Sequence, residues 1–245
     1  MPMFFSVSAA AMPLGYWNPP MPINCLTVCA ASLLLPPPSD LSPLLQPYGV
    51  SPRRLSRISQ LTLAGALPLC AALPPHSALY LASPFGSPQR FARMTDKWTQ
   101  QQQASPLDFT AQLHNAPLFH LAQTARLHGE SLFVIAEADS LTHILHLAAN
   151  ALAAQAVPAV LLGWANESRQ AGEAEISLWW HLRPAAPTLH PAPLFRPDHT
   201  SDFARAAFHL HHSLQQHRAL QLPATAARPA LQLQLPPSTP CPNPL

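Results

Sequence analysis

Three short runs of unbroken apolar residues, Ala78–Ala82 (ALYLA), Leu132–Ala136 (LFVIA) and Ala159–Trp164, read as strands buried on both faces. Glu175–Leu182 predicts a fourth strand, and Phe4–Ala10 can form one near the start. Between these runs the apolar period changes to three and four. Ser51-Pro52 places a capping serine before a proline at the first helical position, and Leu55, Ile58, Leu61 and Gly65 then share one face. That helix is expected to stop near Leu67, before Pro68. The same Ser-Pro start recurs at Ser87-Pro88, where Phe91, Met94 and Trp98 form a face that runs out in Gln100–Gln103. It recurs again at Ser105-Pro106, predicting a short helix over 106–112. His114-Asn115 is a break, and Pro117 opens a helix to about Leu127. Glu137-Ala-Asp-Ser140 is a strand-to-helix turn in which Asp139 or Ser140 caps a helix over 141–155. That helix is nearly uncharged and so expected to be buried on several sides. A last helix runs from Ser201 to about His217. Strands alternating with helices of this length predict an α/β fold, a mixed sheet covered by helices on both faces.

Composition narrows the function. Of the 245 residues, 48% are hydrophobic and only 10% charged, well below the roughly 25% of an ordinary soluble domain. A surface so poor in charge needs other polar groups, or a partner, to cover it. The 31 prolines gather at 19–22, 36–47 and 223–244, so both ends read as loop or tail. The formal charge of +2, with no basic run longer than Arg53-Arg54, argues against a nucleic-acid partner. No stretch of 18 apolar residues predicts a membrane span. The apolar segments Met3–Ala11 and Cys25–Leu35 lack a preceding basic region, so no secretory leader is read and a cytoplasmic location is expected. Cys25, Cys29, Cys70 and Cys241 are scattered. Cys25 and Cys29 have no second close pair of metal ligands, and neither His143/His146 nor His209/His212 has a carboxylate beside it, so no metal and no cofactor is expected. Trp179 and Trp180 face opposite sides of a strand, one expected in the core and the other as an interface anchor.

The run from Ser51 to Leu61 (SPRRLSRISQL), followed by ALYLASPFG (78–86), Ser105-Pro-Leu-Asp-Phe109 and Leu113-His-Asn-Ala116, resembles the ketoacyl-synthase N-terminal-like proteins. Many of these are chain length factors of aryl-polyene or fatty-acid-type pathways. The likeness extends over roughly 50–167. It implies a thiolase-like half-fold and three segments: an N-terminal strand and Pro-rich loops (1–50), the ketoacyl-synthase N-terminal-like domain (51–220) and a Pro-rich tail (221–245). In a full ketosynthase the strand corresponding to Leu132–Ala136 leads to a nucleophilic cysteine at a helix N-terminus, where the helix dipole favours a thiolate. Counting back from Glu167, which resembles the glutamate ending the next ketosynthase strand, puts that position near Asp139. The turn Glu137, Asp139, Ser140 holds no cysteine, and the two later histidine motifs of ketosynthases are absent. The resemblance therefore implies a non-catalytic accessory protein that pairs with an active ketosynthase subunit and an acyl carrier protein, as a homo- or heterodimer.

Candidate partner-binding residues are Arg53, Arg54 and Arg57, which can meet an acidic carrier protein or the phosphate of its pantetheine arm, and His114 and Asn115 at the helix break. Each also has a structural reading: a solvated basic helix face for the arginines, helix capping for the His-Asn pair. An alternative function is a stand-alone acyl-thioester hydrolase or transferase using Ser140 and a histidine such as His114. The surroundings of Ser140, however, do not match the G-x-S-x-G nucleophile pattern. A decayed relative is a third reading.

Overall fold

The computed structural model describes residues 25–170, 172–186, 192–196, 202–224 and 228–236. Its centre is a seven-stranded mixed sheet. The strands are β1 (Cys25–Leu34), β2 (Ala78–Ser83), β3 (Ser131–Ile135), β4 (Val160–Asn166), β5 (Ile176–Pro184), β6 (Ala219–Leu222) and β7 (Leu231–Gln234). The helices are α1 (Ser42–Leu45), α2 (Arg57–Cys70), α3 (Pro88–Gln101), α4 (Pro106–Gln112), α5 (Ala116–Ala125), α6 (His143–Ala153) and α7 (Phe203–His217). The sheet order is β3-β2-β4-β5-β1-β7-β6. β3, β2 and β4 run parallel, β5 is antiparallel to both β4 and β1, and β7 is parallel to β1. The α/β fold with helices on both faces is the one the sequence predicts.

Alternation along the central strands builds two cores. Val160, Leu162 and Trp164 of β4 join Leu178, Trp180 and Leu182 of β5 under α6 and α7. Leu161 and Ala165 point the other way, with Trp179, Leu79 and Leu81, toward α1, α2 and α5. Trp179 and Trp180 do face opposite sides, but both are fully buried, so the interface anchor expected of one of them is not found. Trp180 lies edge-on to Trp164, with ring centroids 4.8 Å apart, and its indole N–H donates to His211 Nδ1 at 3.1 Å. The Trp179 indole N–H donates to Ser177 Oγ at 3.0 Å, and that hydroxyl donates to the Leu61 carbonyl at 2.6 Å. The strand is thereby stitched to the middle of α2. Two glycines make room for this indole. A Cβ on Gly65 of α2 would lie 2.7 Å from the Trp179 ring, and one on Gly163 of β4 would lie 2.5 Å from it.

Several expectations need correction. The chain at Ser51-Pro52 makes a short 3-10 turn over Pro52–Arg54, and α2 begins at Arg57. Its N-cap is Ser56, whose Oγ accepts from Ser59 N at 3.4 Å. Pro68 is not the stop, because the helix runs to Cys70. Proline costs a helix one N–H bond, yet α2 keeps its course through Pro68, with Leu67 and Leu69 on either side buried. β3 is an edge strand, exposed or half-buried along its length, although the run Leu132–Ala136 reads as a buried strand; Ala136, just past its end, is buried. Asp139 and Ser140 do not cap α6. They lie in a 3-10 turn over Ala138–Ser140, and Thr142 occupies the N-cap position of α6. That helix keeps one side exposed at Leu147 and Asn150. The Phe91–Trp98 face of α3 is real but faces outward, and no residue of α3 is buried. Near the start, Cys25–Leu34 forms a long strand, while Phe4–Ala10 lies outside the described residues. Leu231–Gln234, within the segment read as tail, is β7 and pairs with β1.

Gly163→Ala is expected to cost about 1–3 kcal/mol by forcing a methyl group into the Trp179 ring. Urea denaturation followed by tryptophan fluorescence measures the loss, and an unchanged midpoint would contradict the close packing described.

Candidate functional site

Two places gather the chemistry-bearing residues. The first lies beyond the carboxyl ends of β2, β3 and β4, where open α/β sheets hold their ligands. A cavity of about 380 Å³ there is lined by Phe85, Glu137, Asn166, Arg169, Glu173 and Asp202, among others. Asn166 Nδ2 donates to the Ala174 carbonyl at 3.1 Å, and its buried Oδ1 lacks a partner among the described residues. Asp202 caps α7, accepting from Arg205 N at 2.7 Å. Glu173 is held by Arg169 at 2.9 Å. Of the degenerate turn, Glu137 lines this cavity, whereas Asp139 and Ser140 do not. The Ser140 hydroxyl donates to Asp139 Oδ1 at 3.4 Å, with no imidazole among its described hydrogen-bond partners. His114 packs edge-on against Phe133, on the α5 side of the sheet, with ring centroids 5.2 Å apart. Ser140 and His114 are not brought together, so the dyad that a hydrolase needs is not assembled.

The described cysteines stand elsewhere, and Cys241 lies outside the described residues. Cys25 is buried in β1, and Cys29 lies on the same strand. Cys70 ends α2, where burial pushes its thiol up to about 12, far from a reactive thiolate.

Glu167, just past β4, is fully buried and ties this end of the sheet to two helices. Its carboxylate accepts from Ile58 N at 2.8 Å and Gln89 N at 3.1 Å, in the first turns of α2 and α3. The Ser87 hydroxyl donates to both carboxylate oxygens, at 3.1 and 3.0 Å. Burial raises the pKa of this carboxyl above its usual value, while the backbone and hydroxyl donors pull it back down. One acid thus serves as the shared N-terminal cap of two helices, and each helix dipole favours its charge.

The second place is a cavity of about 590 Å³ bounded by the Pro52–Arg54 turn and by α3, α4 and α5. Arg53, Arg54, Arg90, Arg93 and Lys97 line it with a single carboxylate, Asp108. Asp108 is 1% exposed and sits at the hub of an ion knot. Lys97 Nζ reaches Oδ2 at 2.7 Å, Arg90 reaches Oδ1 at 3.0 Å, and the Ser105 hydroxyl donates at 2.5 Å. Arg93 adds a longer contact at 3.4 Å. The Lys97 and Ser105 hydrogen bonds, with Arg90 and the Arg93 charge, outweigh burial and hold this carboxyl well below the usual range. Of the predicted partner-binding residues, Arg53, Arg54 and Asn115 line this cavity, while His114 does not. Arg57 is not on a common solvated face with the other two arginines. It turns inward to Glu175 at 2.7 Å and to the Pro38 and Ser39 carbonyls, tying the start of α2 to the loop after β1. Asn115 occupies the N-cap position of α5 without a side-chain cap bond. Arg90, Arg93 and Lys97 went unread in the sequence. Their spacing of three and four on α3 was the available signal.

The family model of the beta-ketoacyl synthase N-terminal domain matches residues 41–172, more than half of the chain. The chain belongs to this family. No protein of curated function matches it. Among solved structures, this ketosynthase-family chain is similar to a chain of the ketosynthase ApeO in complex with its chain length factor ApeC from Xenorhabdus doucetiae. That match has a TM-score of 0.61 at 18% identity and covers 80% of this chain and 94% of that one. It is also similar to the ishigamide ketosynthase/chain length factor, with a TM-score of 0.56 at 13% identity over 68% of this chain and 64% of that one. A third match is the complex AntDE:AntF, a type II acyl-carrier protein with its ketosynthase bound to the hexaketide. There the TM-score is 0.52 at 13% identity, over 65% of this chain and 62% of that one. At these identities the likeness establishes the thiolase-like ketosynthase fold. For this member, Glu167 stands just past the fourth strand, as the resemblance implies, and the turn after β3 is acidic.

Glu167→Ala leaves two backbone N–H groups and a hydroxyl without their buried acceptor and is expected to cost roughly 2–4 kcal/mol in chemical denaturation. Asp108 has the opposite linkage to a raised carboxyl. Its folded pKa is lowered, so its stabilisation is present above about pH 4 and is lost as pH falls through and below that value. Asp108→Asn is expected to cost about 1–2 kcal/mol at neutral pH, since its cations are partly exposed and so screened. The gap between wild type and variant should close in urea titrations taken below pH 4, and a gap independent of pH would contradict the ion knot.

Proposed function

We propose that this protein is a non-catalytic, chain-length-factor-like partner of an active ketosynthase, serving fatty-acid- or aryl-polyene-type chain building together with an acyl carrier protein. The observation that carries this reading is the turn after β3. Where the resemblance puts the thiol of a condensing enzyme of this family, the chain has Asp139 and Ser140 in a 3-10 turn, with Glu137 at its N-cap position. A carboxylate or an unactivated hydroxyl does not capture an acyl group from a thioester as a thiolate does. Decarboxylative condensation therefore has to be done by another subunit. The names of the similar complexes, a ketosynthase with its chain length factor and a ketosynthase with its acyl-carrier protein, support the same reading.

Uncovered apolar surface supports association. β3 ends the sheet, so one row of its backbone N–H and C=O groups meets no strand among the described residues, and Ile135 on it is 64% exposed. An edge of this kind is a template for another chain. Phe91 and Trp98 of α3 and Phe109 of α4 add exposed aromatic surface nearby in the chain order.

Co-expression with a catalytic ketosynthase subunit is expected to yield a stable complex on size-exclusion chromatography. Ile135→Asp, at an exposed position, should weaken that complex at least tenfold while leaving the melting temperature of the isolated chain unchanged. Recovery of a covalent acyl adduct on the purified chain alone, or its condensation of malonyl and acyl units without a partner, would overturn the proposal.

A further inference from the structure

We propose that the recess between α7 and segment 193–196 binds a compact apolar monocarboxylate, its carboxylate on Arg196 and its apolar body against Leu194 and Phe195. The recess lies outside residues 41–172, which carry the family match, and beside β6, at the opposite edge of the sheet from β3. It is therefore independent of the ketosynthase-partner reading above.

The walls are in place before a ligand arrives. Leu194 stands opposite Gln221 of β6 in a parallel bridge. The Phe195 N–H donates to the Gln221 carbonyl at 2.9 Å, and the Gln221 N–H donates to the Pro193 carbonyl at 2.9 Å. Phe195 is buried in the core under α7, and its ring centroid lies 5.6 Å from that of His209. Leu220 of β6, also buried, lines the recess from below. Two backbone bonds and a buried ring thus hold the wall that carries Arg196, so less freedom is lost when a ligand enters.

The polar groups of the recess lack an acceptor. His209, Ser213 and His217 recur every four residues and so share one face of α7, while Arg196 stands on the facing wall. No carboxylate lines the recess among the described residues. The four side chains make no hydrogen bond or ion pair there either. Hydroxyl and imidazole groups can donate as well as accept, and a guanidinium only donates, so the set as a whole suits an anion. A carboxylate offers a guanidinium two parallel acceptors. α7 ends at His217, and the carbonyls of its last turn carry partial negative charge. That charge opposes a doubly charged phosphate more strongly than a singly charged carboxylate. Leu194 is 55% exposed, so an apolar body laid on it removes hydrocarbon from water. The volume of about 300 Å³ is at the small end of ligand sites, which selects a compact body over a long chain.

Titration calorimetry on the full chain compares cyclohexanecarboxylate with cyclohexanecarboxamide, acetate and inorganic phosphate. Cyclohexanecarboxylate is expected to bind, with the other three roughly tenfold or more weaker. It should also raise the melting temperature as its concentration passes its Kd. Arg196→Gln/His217→Gln, both at exposed positions, should weaken binding roughly tenfold or more without moving the melting temperature of the free chain. Arg205→Ala, on the same helix but outside the recess, should leave affinity unchanged. The proposal is overturned by a carboxamide, acetate or phosphate that binds as tightly as cyclohexanecarboxylate. It is equally overturned by an unaltered affinity in the double variant, by an equal loss in Arg205→Ala, or by no binding of cyclohexanecarboxylate at millimolar concentration.

Discussion

Glu167 stands out of water at the end of β4, and its carboxylate is the acceptor for the first turns of both α2 and α3. A buried carboxylate is costly unless its lone pairs are filled, and here two backbone N–H groups and the Ser87 hydroxyl fill them. The consequence is geometric. α2 packs on the sheet through Trp179 and Gly65, while α3 carries most of the cations of the basic cavity. One acid therefore sets where the α2 face of the core ends and where the outer helices begin. The positive ends of two helix dipoles converge on it, so the cap contributes electrostatically as well as through hydrogen bonds.

Asp108 organises the outer helices in a comparable way. α3 has no buried residue, so hydrophobic packing alone cannot fix it against α4. The ion knot supplies what packing does not, since Arg90, Lys97 and Ser105 converge on one carboxylate at 2.5–3.0 Å. Electrostatic fixing leaves the apolar side chains of these helices free to face outward, and Phe91, Trp98, Phe109 and Phe119 do so. The same charges that locate α3 also create the recess beside the Pro52–Arg54 turn. A helical layer fixed by charge and presenting aromatic groups outward is suited to meeting another surface.

The acidic turn after β3 belongs to a strand that behaves differently from its neighbours. β2 and β4 are buried throughout, whereas β3 meets one strand only among the described residues. Its turn is consequently open enough for Ser140 and Asp139 to contact each other rather than the core. Among the described residues the Ser140 hydroxyl has no imidazole partner, and Cys70, at the end of α2, is held protonated by burial.

The sequence by itself determined the element types and most of their bounds. The apolar runs at 78–82, 132–136 and 159–164, the Ser-Pro starts of α3 and α4 and the last helix depend on local period and backbone chemistry, which neighbouring residues dictate. The family resemblance was legible for the same reason, since it resides in contiguous motifs. Only the tertiary structure decided which apolar strand would lie at an edge, because a run such as LFVIA reads the same whether one or two strands flank it. It also decided that Trp179 and Trp180 would both be buried, that Ser56 rather than Ser51 would cap α2, and that Arg57 would turn inward to Glu175. The basic cavity likewise joins residues from 53 to 120 through one buried carboxylate. Long-range contacts of this kind depend on burial and on which charges meet out of water, and neither is written in the spacing of residues along the chain.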